Sequence, residues 1–174
     1  MSDIVRDDDG SRLCATRRSA GLPFYVQALV STEPSSAQRH CFTYAMTQLM
    51  QLALAAPLAT AGDACSEQQC APQVHALNVL RALVRDARLS ADVTPYVSDA
   101  VRAAIGACSS RYWSVRNSGT LLFSALLTRI FGVKRGKDEA SRRNCVTARV
   151  FFTRYPGLHD FLLKEISTLQ PDAR

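Results

Sequence analysis

The chain has 174 residues, 47% of them hydrophobic, with 8 glycines and 7 prolines. That is enough apolar material for one packed core, and it excludes disordered and collagen-like chains. The formal net charge of +6 permits an anionic partner without demanding one.

The first apolar stripe falls at Leu22, Val26, Leu29 and Val30, which predicts a helix over residues 18–30. Glu33-Pro34-Ser35-Ser36 breaks the chain and offers a serine N-cap. A second helix is expected over 37–56, with Phe42, Met46, Leu49, Met50 and Ala53 on one face, ended by Pro57. Its apolar run, residues 49–58, carries Gln51 and is too short to cross a bilayer, so no membrane span is expected.

Residues 60–69, rich in Ala, Gly, Gln and Cys, read as an exposed loop. Pro72 suits the first turn of a third helix, whose face is Val74, Leu77, Leu80, Leu83 and Val84. After punctuation at residues 92–95 come a small Ala-rich helix over 97–107 and a fifth over 113–131. The fifth is capped by Ser109-Ser110 and turns Val115, Leu122, Leu126 and Ile130 inward. A basic loop over 132–144, a short helix near 147–154, Pro156-Gly157 and a last helix over 158–168 complete the order. Nothing alternates with period two over a useful length, so the chain reads as all-α.

Short turns between such helices suit a closed bundle or a solenoid. An internal match favours the solenoid. Arg17-Arg18-Ser19-Ala20-Gly21-Leu22-Pro23-Phe24 and Arg116-Asn117-Ser118-Gly119-Thr120-Leu121-Leu122-Phe123 both follow Arg-x-Ser-small-small-Leu-x-Phe. Small residues let a neighbouring helix approach, Leu and Phe fill the gap between layers, and the arginine reaches carbonyls or acids of the next repeat. Repeats of armadillo or HEAT type need these features, because each unit packs only on its neighbours. The expected organisation is a polar tail (1–15), one helical-repeat domain (16–169, with loops near 57–71 and 132–146) and a short tail (170–174). With only a polar tail ahead of the first apolar face, the domain is expected to be a segment of a longer solenoid.

Six cysteines (Cys14, Cys41, Cys65, Cys70, Cys108, Cys145) are scattered along the helical segments, behind a polar, acidic start that is no secretory signal. They are expected to be reduced, buried small hydrophobes of a cytosolic protein. Cys65 and Cys70 form one close pair, but no second pair completes a zinc site, so no metal is expected. His40, His75 and His159 are isolated, and without a strand there is no Rossmann-type S-adenosylmethionine site. No catalytic residue is assigned, and the chain is not expected to be an enzyme.

The run Thr16-Arg-Arg-Ser-Ala-Gly-Leu-Pro-Phe-Tyr-Val-Gln-Ala-Leu resembles the signature of the thyroid adenoma-associated protein (THADA) family. That family includes the fungal subunit assisting the tRNA 2′-O-methyltransferase of the anticodon loop. Three further runs agree with it: Val74-His-Ala-Leu-Asn-Val-Leu-Arg-Ala-Leu-Val-Arg-Asp, Trp113-Ser-Val-Arg-Asn-Ser-Gly-Thr-Leu-Leu-Phe, and Phe151-Phe-Thr-Arg-Tyr-Pro-Gly-Leu. The resemblance covers most of residues 12–166 and is weakest over 60–69. It implies the family-defining central region of a longer armadillo-like solenoid. It further implies a non-catalytic subunit that holds tRNA and a separate methyltransferase, which brings S-adenosylmethionine, so this chain itself takes no cofactor. For animal relatives it also suggests a protein partner at the endoplasmic reticulum.

The candidate site is Arg17, Arg18, Ser19, Ala20, Gly21, Leu22 and Pro23, the motif that the resemblance implicates in supporting tRNA methylation. Free N–H groups at a helix start and guanidinium forks both suit a phosphate. The same arginines could instead bridge repeats, with Gly and Pro shaping a helix bend. A second candidate is the basic loop with Lys134, Arg135, Lys137, Arg142 and Arg143. It could meet an RNA backbone, although Asp138 and Glu139 interrupt it and no aromatic lies between its cations, which also fits a solvated loop. Arg81 and Arg85 share a helix face. Asp86 is expected to pair with an arginine of the next repeat, Asn78 and Asn117 to hydrogen-bond between repeats, and Trp113 to lie in the core.

Overall fold

The computed structural model describes residues 21–34, 38–55, 67–132 and 145–169. Within them the regular elements are α1 (Leu22–Ser31), α2 (His40–Leu54), α3 (Ala71–Arg85), α4 (Ser90–Val93), α5 (Val97–Cys108), α6 (Trp113–Phe131), α7 (Ala148–Arg154) and α8 (Leu158–Leu169). Two 3-10 turns, Glu67–Cys70 and Thr94–Tyr96, lead into α3 and α5. Among the described residues no strand occurs, and the protein is all-helical.

The helices lie in two rows. In one, α3 packs between α1 and α6; in the other, α5 packs against α2 and α8. The rows meet where α2 rests on α3 and α5 on α6. The seam buries Met46, Leu49, Leu77, Leu80, Leu83 and Leu122, all at 0% exposure. The stripes expected on α2 and α3 are all buried. On α6, Val115, Leu122 and Leu126 are buried and Ile130 half-buried. On α1 only Val26 and Val30 are fully covered, and Leu29 remains 55% exposed. Among the described residues that helix lies at the edge of its row, packed on α3 and more lightly on α2.

The helix ends are closed by side chains from elsewhere. The Glu33 carboxylate accepts from the N–H groups of Cys41 and Phe42 at 2.9 and 3.0 Å, which caps α2. Those two backbone bonds hold its pKa below the ordinary carboxylate value. The serines expected to cap α2 lie outside the described residues. At the other end of α2, Gln73 donates to the carbonyls of Ala53 and Ala55, groups that a helix terminus leaves unpaired. Arg39 meets Asp92 at 3.0 Å, tying the start of α2 to α4. Arg102 donates to the Gly157 carbonyl and lies over the Phe161 ring at 5.7 Å, which holds the α7–α8 corner against α5.

Between α5 and α6 two helices approach closely. Ala100, Ala103, Ala104 and Ala107 repeat at helical spacing along α5 and are all buried, so they present a surface without side-chain bulk. Gly119 of α6 lies on it: a Cβ there would stand 2.6 Å from Ala107 Cβ and 3.0 Å from the Ala104 carbonyl oxygen. The small-residue step read in the sequence therefore has its expected role in the second copy of the motif. In the first copy the counterpart of Gly119 is Ala20, which lies outside the described residues; Gly21, the counterpart of Thr120, is the exposed N-cap of α1. The described part of the first copy opens α1, whereas the second copy lies inside α6.

Of the four described cysteines only Cys70 is buried. Cys41, Cys108 and Cys145 are exposed, contrary to expectation. Cys41 and Cys108 fall on the water side of helix ends, and Cys145 precedes α7.

Gly119→Ala should lower stability by about 1–3 kcal/mol, the usual cost of overpacking a tight core. Urea unfolding followed by circular dichroism measures it; an unchanged midpoint would show that the rows can separate without cost.

Candidate functional site

The row α1–α3–α6 is joined at one end by a buried carboxylate. Asp86 follows the last residue of α3 in extended conformation and is only 7% exposed. Its Oδ2 accepts from Gln27 Nε2 of α1 at 2.9 Å and from Arg88 Nη2 at 2.9 Å. Its Oδ1 accepts from Arg88 Nε at 3.2 Å and from the Arg88 backbone N–H at 2.9 Å. From α6, Arg129 Nη2 donates to the Asp86 carbonyl at 2.7 Å. Three helices thus converge on one residue. The arginine paired with its carboxylate is Arg88, two residues on, rather than one from the next repeat. A tight turn brings the nearer cation round first.

The Arg88 side-chain hydrogen bonds hold the Asp86 carboxyl well below the usual carboxylate range, and burial opposes them only in part. A carboxylate depressed in the folded state contributes stability above its unfolded pKa, about 4, and that contribution is lost as pH falls below it.

Beside this junction the three helices form a cleft of about 620 Å³. Pro23, Phe24 and Gln27 come from α1; Asn78, Arg81, Ala82 and Arg85 from α3; Asn117, Ser118 and Leu121 from α6. The α3 positions recur at one face of a helix. Among the described residues Arg81, Arg85, Asn78 and Asn117 make no ion pair or side-chain hydrogen bond. Gln27 gives one Nε2–H to Asp86, which leaves its second N–H and its Oε1 for a ligand. Two guanidinium groups, two amides and an exposed ring face one space, an arrangement suited to an anion bearing a planar group.

Three expectations change here. Asn78 and Asn117 do not join repeats internally; both are half-buried and open on the cleft. Phe24 does not fill a gap between layers, because it is 70% exposed at the cleft rim. Trp113, expected in the core, is 61% exposed at the first position of α6, where a side chain points away from the packed seam. The leading arginine of the second motif, Arg116, does reach carbonyls, those of Ser110 and Arg111 at 2.9 Å. They belong to its own preceding turn, not to a neighbouring repeat.

Of the predicted site residues, Gly21 is the N-cap of α1, Leu22 is half-buried at its first position and Pro23 lines the cleft. Pro23 stands in the first turn, where its missing N–H costs nothing, so it starts the helix rather than bending it. Arg17, Arg18, Ser19 and Ala20, and all of Lys134, Arg135, Lys137, Arg142 and Arg143, lie outside the described residues. The sequence did place Arg81 and Arg85 on one face. What it could not show is that α1 and α6 bring Phe24 and Asn117 beside them.

Over the described residues, fold and cleft describe an all-helical chain with a ligand-sized opening on a row of three helices. The chain belongs to the THADA/Trm732 family: the model described as THADA/TRM732, DUF2428 matches residues 1–114, and that for the C-terminal TPR repeats of Trm732 matches 116–173. Similar proteins include the tRNA (32-2′-O)-methyltransferase regulator THADA of Homo sapiens, 51% identical over 169 residues. The Drosophila melanogaster protein of that name is 40% identical over 156 residues. The regulator trm732 of Schizosaccharomyces pombe is 30% identical over 158. These alignments cover 97%, 87% and 87% of this chain but only 8%, 8% and 10% of the respective relatives. No solved structure matches the chain. The border between the two family regions falls inside α6, so the cleft takes residues from both.

Asp86→Ala should cost about 1–3 kcal/mol by removing charged hydrogen bonds. Asp86→Asn should flatten the fall of stability between pH 4 and pH 2, with a residual slope from Glu33, which is depressed in the same direction. Thermal unfolding across that range tests both; a slope unchanged by Asp86→Asn would remove the carboxylate from the acid response.

Proposed function

We propose that this chain is a non-catalytic helical-repeat segment of HEAT or armadillo type that supports a tRNA 2′-O-methyltransferase by holding tRNA beside it. The observation that carries this is the cleft: Arg81 and Arg85 stand one turn apart, uncommitted, in an opening with free amides. Unpaired guanidinium groups on a rigid helix face suit phosphate oxygens. The names of the relatives, regulators of a tRNA (32-2′-O)-methyltransferase, support the same partner. S-adenosylmethionine belongs in this reading to the partner enzyme, and the setting is the cytosol. The two-row packing of the described helices supports the repeat assignment. Arg17 and Arg18 would add to the phosphate contacts, since Pro23, six residues after Arg17, already lines the cleft.

Arg81→Glu with Arg85→Glu should weaken tRNA binding at least tenfold and flatten its log-log salt dependence by about 1–2. Fluorescence anisotropy between low and physiological salt measures this, and unaltered affinity would end the assignment. Arg17→Ala with Arg18→Ala should reduce methyl transfer to tRNA by the partner enzyme. An unchanged rate would leave those arginines without a part in it.

A further inference from the structure

The cleft contains more chemistry than backbone electrostatics requires. Cations alone suffice to hold a chain of phosphates, yet here the two guanidinium groups are accompanied by two uncommitted amides and a ring. Phe24 is 70% exposed at the rim, so its face is open to a planar partner. Asn78 and Asn117 come from adjacent helices and are half-buried, which fixes their backbones while leaving both ends of each amide unused. Ala82 leaves room on the α3 face between these groups. A volume of about 620 Å³ lies within the range, about 300–1,000 Å³, of pockets that take a small molecule. Such a space suits an extruded nucleotide rather than a length of double helix.

We infer that this cleft binds an unpaired nucleotide of an RNA loop, with the phosphate on Arg81 and Arg85, the base stacked on Phe24, and the base edge hydrogen-bonded by Asn78 and Asn117. This rests on the tRNA reading above and narrows it to the single-stranded part of the RNA. A base inside a duplex has both faces stacked and its pairing edge occupied, whereas an unpaired base offers ring and edge together. Aromatic stacking beside cations is the usual means of holding single strands. An amide can present its oxygen or its nitrogen to a ligand, so the two asparagines accept more than one base. An acidic peptide would engage the arginines and leave ring and amides idle.

The test uses the purified chain and two labelled RNAs of equal charge, a stem closed by a single-stranded loop and an uninterrupted duplex, read by anisotropy. The loop RNA should bind about tenfold more tightly, in line with the worth of one stacked base. Phe24→Ala should abolish that preference without altering duplex binding, and Phe24→Trp should keep it; an exposed position allows both exchanges without disturbing the core. Equal binding of both RNAs, dependent on Arg81 and Arg85, would overturn the nucleotide site while leaving the tRNA reading intact. Failure of both RNAs to bind through these arginines would overturn both readings. Displacement of the loop RNA by poly-glutamate as readily as by unlabelled RNA would assign the cleft to an acidic protein and overturn the inference too.

Discussion

A carboxylate taken out of water must be surrounded by donors, or it is protonated or expelled. Asp86 meets that requirement by drawing together Gln27, Arg88 and, through its own carbonyl, Arg129. It ties α1, α3 and α6 together at one end of their row. Gln27 faces the cleft on one side and the carboxylate on the other, and Arg85 is the residue just before Asp86 in the chain. The polar junction and the opening beside it are therefore one construction, in which satisfying a buried charge fixes the positions of side chains that have no internal partner.

The cleft also joins two parts of the family. Its α1 and α3 residues fall in the region matched over 1–114 and its α6 residues in the region matched over 116–173. Since α6 packs on both α3 and α5, the two regions share a core and have no gap between them. A cleft assembled in this way is complete only when the helices of both regions pack together.

Helical periodicity made most of the fold legible. The apolar faces of α2 and α3 could be read residue by residue because both helices bury one stripe between two rows, and α6 begins and ends where its pattern does. What was hidden depends on which element stands next to which. Leu29, Phe24 and Trp113 look like core residues, and their hydrophobicity says nothing of an edge helix or a helix end with no neighbour. Asn78 and Asn117 look like interior polar groups until α6 is seen beside α3. The Glu33 cap escaped notice because a carboxylate reached forward eight and nine residues to do what nearby serines were expected to do. The family signature was the clearest signal of all, but its arginines lie outside the described residues, and the structure instead gives prominence to a pair on α3 that the sequence marked only as sharing a face.

The contact of Gly119 with the alanines of α5 has a mechanical side. With a glycine seated against Ala104 and Ala107, the two backbones are in direct contact, and no long side chains lie between them to change rotamer and absorb a displacement. That seam resists shear and acts as the stiff member of the segment. Compliance is left to elements with fewer buried anchors, among them α1, where Phe24, Tyr25 and Leu29 are exposed. A load applied through the cleft would thus be taken up mainly by α1, which carries Phe24, while α3 and α6 behave as a fixed wall.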